Sequence, residues 1–121
     1  MRLASAEPVA APLVLVVEAD PALRRSLSVR LTDRAFRVEQ ATTLPEALEA
    51  IDHQQPSIVL LDLDLPDLDA RDLMGALHAR GPRVQVILMG ADQQTLAARA
   101  TSLGVVAYVV KPFEFLSVLG G

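Results

Sequence analysis

The stretch "LVLVVEADPALRRSL", residues 13–27, decides the fold. Its first five residues are a continuous apolar run, the pattern of a strand covered on both faces. The run stops at an acid, Glu18, and a second acid, Asp20, follows. Asp20 is placed to cap a helix, with Pro21 at the first helical position, where a missing N–H costs nothing. Leu23, Leu27 and Leu31 then recur at four-residue spacing, one face of a helix. The segment therefore reads as strand, tight turn, helix. The strand ends in carboxylates, yet the residue between them, Ala19, can do no chemistry.

Four more apolar runs repeat the theme: "FRVEQA" (36–41), "SIVLL" (57–61), "VQVIL" (84–88) and "VVAYVV" (105–110). The alternating second run suits an edge strand. Helical spacing fills the gaps. "TLPE" forms a capping box from Thr43 to Glu46 ahead of Ala47, Leu48 and Ile51. A third helix runs from about Ala70 to Arg80 on Leu73, Met74 and Leu77 and stops at "GP". A fourth, Asp92 to Leu103, carries Leu96, Ala100 and Leu103, with Gly104 as a left-handed C-cap. A short last helix starts at Phe113. Strand and helix alternating five times imply a parallel sheet with right-handed crossovers and helices on both faces. For five strands the flavodoxin-like doubly wound order 2-1-3-4-5 is one common solution, and its site lies at the carboxyl ends of the central strands.

Composition bounds the function. The 121 residues suit one domain, with residues 1–12 expected as a flexible tail and the folded unit over 13–121. Only 3% of the chain is aromatic, so Val, Leu, Ile and Ala must build the core. There is no cysteine, which removes disulfides and thiolate chemistry and fits a reducing cytoplasm. The net charge of -4, with no basic run, argues against nucleic-acid binding by this domain. No segment approaches the ~20 apolar residues of a membrane span, and the start of the chain lacks the apolar stretch of a signal peptide.

Charged groups stand just past the apolar runs: Glu18 and Asp20 after the first, Asp62 after the third, Lys111 after the fifth. In a doubly wound sheet these ends converge on one crevice. Carboxylates gathered around a lysine suit a hard cation such as Mg2+ and a phosphoryl group, because Mg2+ binds through one or two carboxylates plus phosphate and water. The lysine neutralises a phosphoryl oxygen as a point charge. The acids Asp64, Asp67, Asp69 and Asp72 read as turn and helix-start chemistry, since EF-hand spacing is absent. His53 and His78 fall near helix ends and are expected to be exposed.

"VLVVEADPALRRSL", "IVLLDLDLPD" and "GVVAYVVKPF" resemble the response-regulator receiver domain of two-component signalling, over about residues 13 to 121. The resemblance implies a phosphorelay module rather than an enzyme. Asp62 would accept a phosphoryl group from a histidine kinase or phosphotransfer protein, and Lys111 would contact that group. Tyr108 matches the aromatic switch position. Asp64 matches the residue whose backbone carbonyl ligates Mg2+, beside Glu18 and Asp62. Pro112 follows Lys111 through a bond that is usually cis in the family. An output domain, or a homodimer through the face of the fourth helix and fifth strand, would be further partners.

The departures are specific. The family has two adjacent acids after the first strand, and here the second is Ala19, so an Mg2+ ligand is missing and the metal would bind weakly. Glu18, one methylene longer than Asp, either reaches in to compensate or fills the site. Counting back from Gly104 and Lys111 places Met89 where the family carries a Ser or Thr hydroxyl that turns toward the phosphoryl group. Methionine cannot donate that bond. Gly90 keeps the next position small. Ala70 stands where glycine is common, and the third crossover is short. Two other readings compete with a phosphorylated receiver. Ala19 and Met89 favour a phosphorylation-independent pseudo-receiver that docks proteins. A flavin carrier of the same fold lacks a glycine-rich or hydroxyl-rich phosphate loop and the aromatics to stack a ring.

Overall fold

The computed structural model describes residues 11–65, 69–80, 84–105 and 107–111. β1 (Leu13–Val17) is buried along its whole length, as its unbroken apolar run requires. Asp20 caps α1 (Pro21–Asp33), its Oδ1 accepting the Ala22 N–H at 2.9 Å. β2 (Arg37–Ala41), α2 (Leu44–Gln54), β3 (Ile58–Asp62), α3 (Ala70–Arg80), β4 (Gln85–Gly90), α4 (Gln93–Leu103) and β5 (Ala107–Val110) follow in strict alternation. The five strands are parallel and ordered β2-β1-β3-β4-β5, the order expected of a flavodoxin-like sheet. β1 lies between β2 and β3, so the chain reverses its direction of winding there. That reversal opens a crevice at the carboxyl ends of β1 and β3.

Several strand boundaries differ from the apolar runs, and β2 starts one residue later than its run, at Arg37. β3 starts and ends one residue later, so Asp62 is its last residue and not a loop acid. β4 continues past Leu88 through Met89 and Gly90, because ladder pairing to β3 and β5 extends that far. β5 begins at Ala107, later than the run at Val105. The expected last helix from Phe113, the Lys111–Pro112 bond, Asp67 and residues 1–10 lie outside the described residues.

Alternation along the strands divides the core into two clusters. One face carries Leu15, Val17, Val59, Leu61 and Leu88, packed by Ala47 and Ile51 of α2, Leu73 and Leu77 of α3, and Leu96 and Ala100 of α4. The other carries Val14, Val16, Leu60, Met89 and Val109 beneath Leu27 and Leu31 of α1. Each fully buried Leu or Val is worth about 1.5–3 kcal/mol relative to exposure, so both layers contribute to stability.

Local chemistry sets the helix ends. Thr43 accepts the Glu46 N–H at 3.3 Å, but Glu46 Oε1 reaches back to the Thr42 N–H at 2.8 Å, one residue earlier than a standard capping box places it. Asp92 caps α4 by accepting the Thr95 N–H at 2.9 Å. Gly104, at φ 73°, closes that helix in the left-handed region where a side chain would be strained. Arg80 of α3 grips the Asp52 carboxylate of α2, with Nη2 3.0 Å from Oδ2. His53 and His78 are exposed, each with Nδ1 on the carbonyl one turn back.

Leu27 of α1 is completely buried. Leu27→Ala is expected to lower unfolding free energy by about 2–5 kcal/mol, whereas Thr43→Ala, which removes only a cap, should cost about 1 kcal/mol. Urea titration of both variants checks the ratio; equal losses would mean that the α1 layer is not packed as described.

Candidate functional site

Parallel register and a period of two bring the charged residues together. Val16, Leu60 and Val109 belong to the cluster beneath α1. Two positions on along each strand, pointing to the same side, stand Glu18, Asp62 and Lys111. Lys111 Nζ lies 2.9 Å from Glu18 Oε1 and 2.8 Å from Asp62 Oδ1. The main chain anchors each corner. Glu18 N–H donates to Ala41 O at 3.0 Å, and Lys111 N–H donates to Gly90 O at 2.8 Å.

Both carboxylates are deeply buried, Glu18 at 1% and Asp62 at 2% exposure. Buried acids are tolerated only when paired and hydrogen-bonded. Asp62 Oδ1 also accepts the Asp64 N–H at 2.8 Å, and Glu18 Oε2 accepts the Asp20 N–H at 3.0 Å. Glu18 Oε1 accepts no well-aligned hydrogen bond; it meets Lys111 only as an ion pair. Burial is the main influence on the Glu18 carboxyl and pushes its pKa up. The Asp20 N–H opposes that, Asp62 pushes it further up, and Lys111 pulls it down; the net direction is upward. Burial would lower the Lys111 ammonium, but the Asp62 and Glu18 carboxylates outweigh it and hold its pKa above the ordinary 10.5.

The other expected residues divide. Asp20 spends its side chain on the α1 cap and points no carboxylate into the crevice. Ala19 contributes none. Asp64 joins the site through its main chain, and its Oδ2 is 4.0 Å from Lys111 Nζ. Tyr108 is half-buried against the α4-side cluster, in register with Leu88. Met89 stands in register with Asp62, but its side chain is fully buried among Val14, Leu27 and Leu31 and makes no part of the ion network. Gly90 is the residue that ends β4 beside the site. It carries the carbonyl that receives Lys111, and the next amide, Ala91, donates to Asp64 Oδ2 at 3.2 Å. Strand alternation puts Met89 on the same side of the sheet as Asp62, and Gly90 on the other, facing Leu96.

Arg24 was missed. Its Nη1 donates to the carbonyls of Glu18 and Ala19 at 2.9 and 3.3 Å, and its Nε to Gln40 Oε1 at 3.0 Å. It therefore pins the turn that carries Glu18 to the edge strand. Nothing in "RR" distinguishes it from Arg25.

A hard cation has two candidate carboxylates here, Glu18 and Asp62, and one buried oxygen, Glu18 Oε1, without a hydrogen-bond donor. That donor set fits Mg2+, but thinly. Among the described residues no group of three or more His, Cys, Asp or Glu is placed to hold a metal, and Lys111 already pairs with both carboxylates.

The raised Glu18 pKa has a signed consequence. Between its unfolded value, ordinarily 4.5, and its higher folded value, the native state binds more protons than the unfolded chain. Stability contributed by Glu18 must then fall as pH rises through that window. Urea titrations across the acid range should show the stability of the native sequence declining relative to Glu18→Gln as pH climbs above about 4.5. A difference that grows with pH would contradict the burial argument.

Comparison with known proteins agrees with this fold. The family profile described as "Response regulator receiver domain" matches residues 14–119. The transcriptional regulatory protein KdpE of Mycobacterium tuberculosis is 36% identical over 110 residues, covering 88% of this chain and 49% of that protein. The response regulator MprA of a Mycobacterium species is 32% identical over 108 residues, covering 88% and 46%. The chain thus spans about half the length of these relatives. A CheY-like response regulator receiver domain protein from Methanospirillum hungatei superposes with a TM-score of 0.78 at 25% identity, covering 91% of this chain and 89% of that one. The chain belongs to the response-regulator receiver domains of two-component systems.

Proposed function

We propose that the domain receives a phosphoryl group on Asp62 from a histidine kinase or phosphotransfer protein. The observation that carries this reading is the 2.8 Å contact between Lys111 Nζ and a buried Asp62 carboxylate at the end of β3. An Asp62 oxygen would attack the phosphorus of a phosphohistidine. The P–N bond breaks, a P–O bond to Asp62 forms, and the imidazole leaves with a proton. Lys111 meets the transferred group as a fixed cation and keeps the incoming negative charge from being stranded in a buried site. Glu18, Asp62 and the Asp64 main-chain carbonyl would hold Mg2+, which neutralises phosphoryl oxygens when bound. Without an acid at position 19 that binding is weak. The module signals in the cytoplasm, and its output lies in a partner or in a further domain such as those its longer relatives have room for.

Met89 holds the switch position in this reading. Register pairs it with Asp62 and with Val109, on the α1 side to which Asp62 and Lys111 point, whereas Gly90 faces Leu96 of α4. Methionine has no hydroxyl to bond a phosphoryl oxygen. A hydrogen bond to a charged group is worth about 1.5–3 kcal/mol, and a ligand shifts a conformational equilibrium only through such differential contacts. Phosphorylation should therefore move Tyr108 little.

Two experiments test the reading. Intact mass after incubation with a small phosphodonor and Mg2+ should show one phosphoryl adduct, absent in Asp62→Asn, and Ala19→Asp should reach the same yield at lower Mg2+. An unmodified mass in every case would leave the domain as a docking module. NMR with beryllofluoride should show shifts confined near Asp62. Shifts at Tyr108 as large as those of a Met89→Thr variant would contradict the switch assignment.

A further inference from the structure

The groups best suited to receive an anion on Asp62 are already engaged by a neighbouring one. Asp64 follows the end of β3, and its main-chain N–H is held by Asp62 Oδ1 at 2.8 Å. Its side-chain Oδ2 accepts the Ala91 N–H at 3.2 Å and lies 4.0 Å from Lys111 Nζ. Lys111 is in turn 2.8 Å from Asp62. One carboxylate oxygen thus stands between a lysine ammonium and the main-chain amide that follows β4. An ammonium and a free main-chain N–H are the two donors a phosphoryl group next to Asp62 would seek. The Asp64 side chain differs from Glu18 and Asp62 in being 56% exposed. It can therefore turn out to water at little cost, whereas the two buried carboxylates cannot.

We propose that Asp64 is a tethered competitor for the phosphoryl group. In the unmodified domain its carboxylate fills the anion-receiving corner between Lys111 and Ala91. Phosphorylation of Asp62 sets like charges side by side and expels it. Its departure also breaks the only side-chain hydrogen bond described between the turn after β3 and the start of the loop after β4. The charge that lowers anion affinity is thus also the latch whose release frees the Ala91 amide. This inference rests on Asp62 being the acceptor.

The test uses beryllofluoride as the anion at saturating Mg2+, with binding followed by NMR on the whole chain. Asp64→Asn keeps an oxygen that can accept the Ala91 N–H, leaves the main-chain carbonyl in place and removes only the charge. It should bind beryllofluoride roughly two- to fivefold more tightly than the native sequence at low salt. The gain should shrink as salt screens an exposed charge. In the native sequence the Ala91 amide signal should move on binding. Equal or weaker binding by Asp64→Asn, or a gain indifferent to salt, would overturn the competitor. Binding that persists undiminished in Asp62→Asn would overturn the acceptor assignment itself, and the competitor with it.

Discussion

One ammonium holds two buried carboxylates, and the carboxyl end of the sheet is organised around that contact. Removing two acids from water is costly, and their attraction to a single lysine repays the cost only where hydrogen bonds complete the arrangement. The Asp20 and Asp64 amides supply those bonds, one from each neighbouring turn. The cluster carries a net negative charge, with Glu18 Oε1 unmatched by a well-aligned donor. It is thus stable enough to form yet still attractive to a further cation, and it has a lysine ready for a further anion. A phosphoryl acceptor needs both properties.

The contact exists because the sheet is parallel and tightly registered. Shifting any one strand by a residue would turn its charged end toward the opposite face. Register in turn depends on the two apolar layers: α2, α3 and α4 on one side, α1 on the other. Met89 belongs to this scaffold. It fills the α1 layer directly alongside Asp62 in the ladder and so supports the site from below. Arg24 plays a comparable part at the front edge by tying the Glu18–Ala19 carbonyls to Gln40.

Much of this was legible in the sequence, for identifiable reasons. Unbroken Val and Leu runs specify strands covered on both faces, and β1 matches its run residue for residue. Asp20, Thr43 and Gly104 announce helix ends because their chemistry acts locally, and each is found at its expected end. The parallel order followed from simple alternation of elements. What was not legible was non-local. The Glu18–Lys111 pair joins strands at opposite ends of the chain, and nothing in either segment shows whether the longer acid reaches the lysine. How Met89 stands to the site is equally non-local: its register with Asp62 comes from ladder pairing between β3 and β4, and its burial beneath α1 from packing between distant segments.

The most direct measurement of the central claim is a double-mutant cycle in unfolding free energy between Lys111→Met and Glu18→Gln, repeated with Asp62→Asn. If one ammonium serves both buried acids, each pair should show a coupling of about 0.5–3 kcal/mol, and removing both acids should relieve much of the penalty of Lys111→Met, which otherwise leaves two buried carboxylates without their partner. Additive effects in both cycles, with no coupling, would contradict the account and show that Lys111 does not hold the site together.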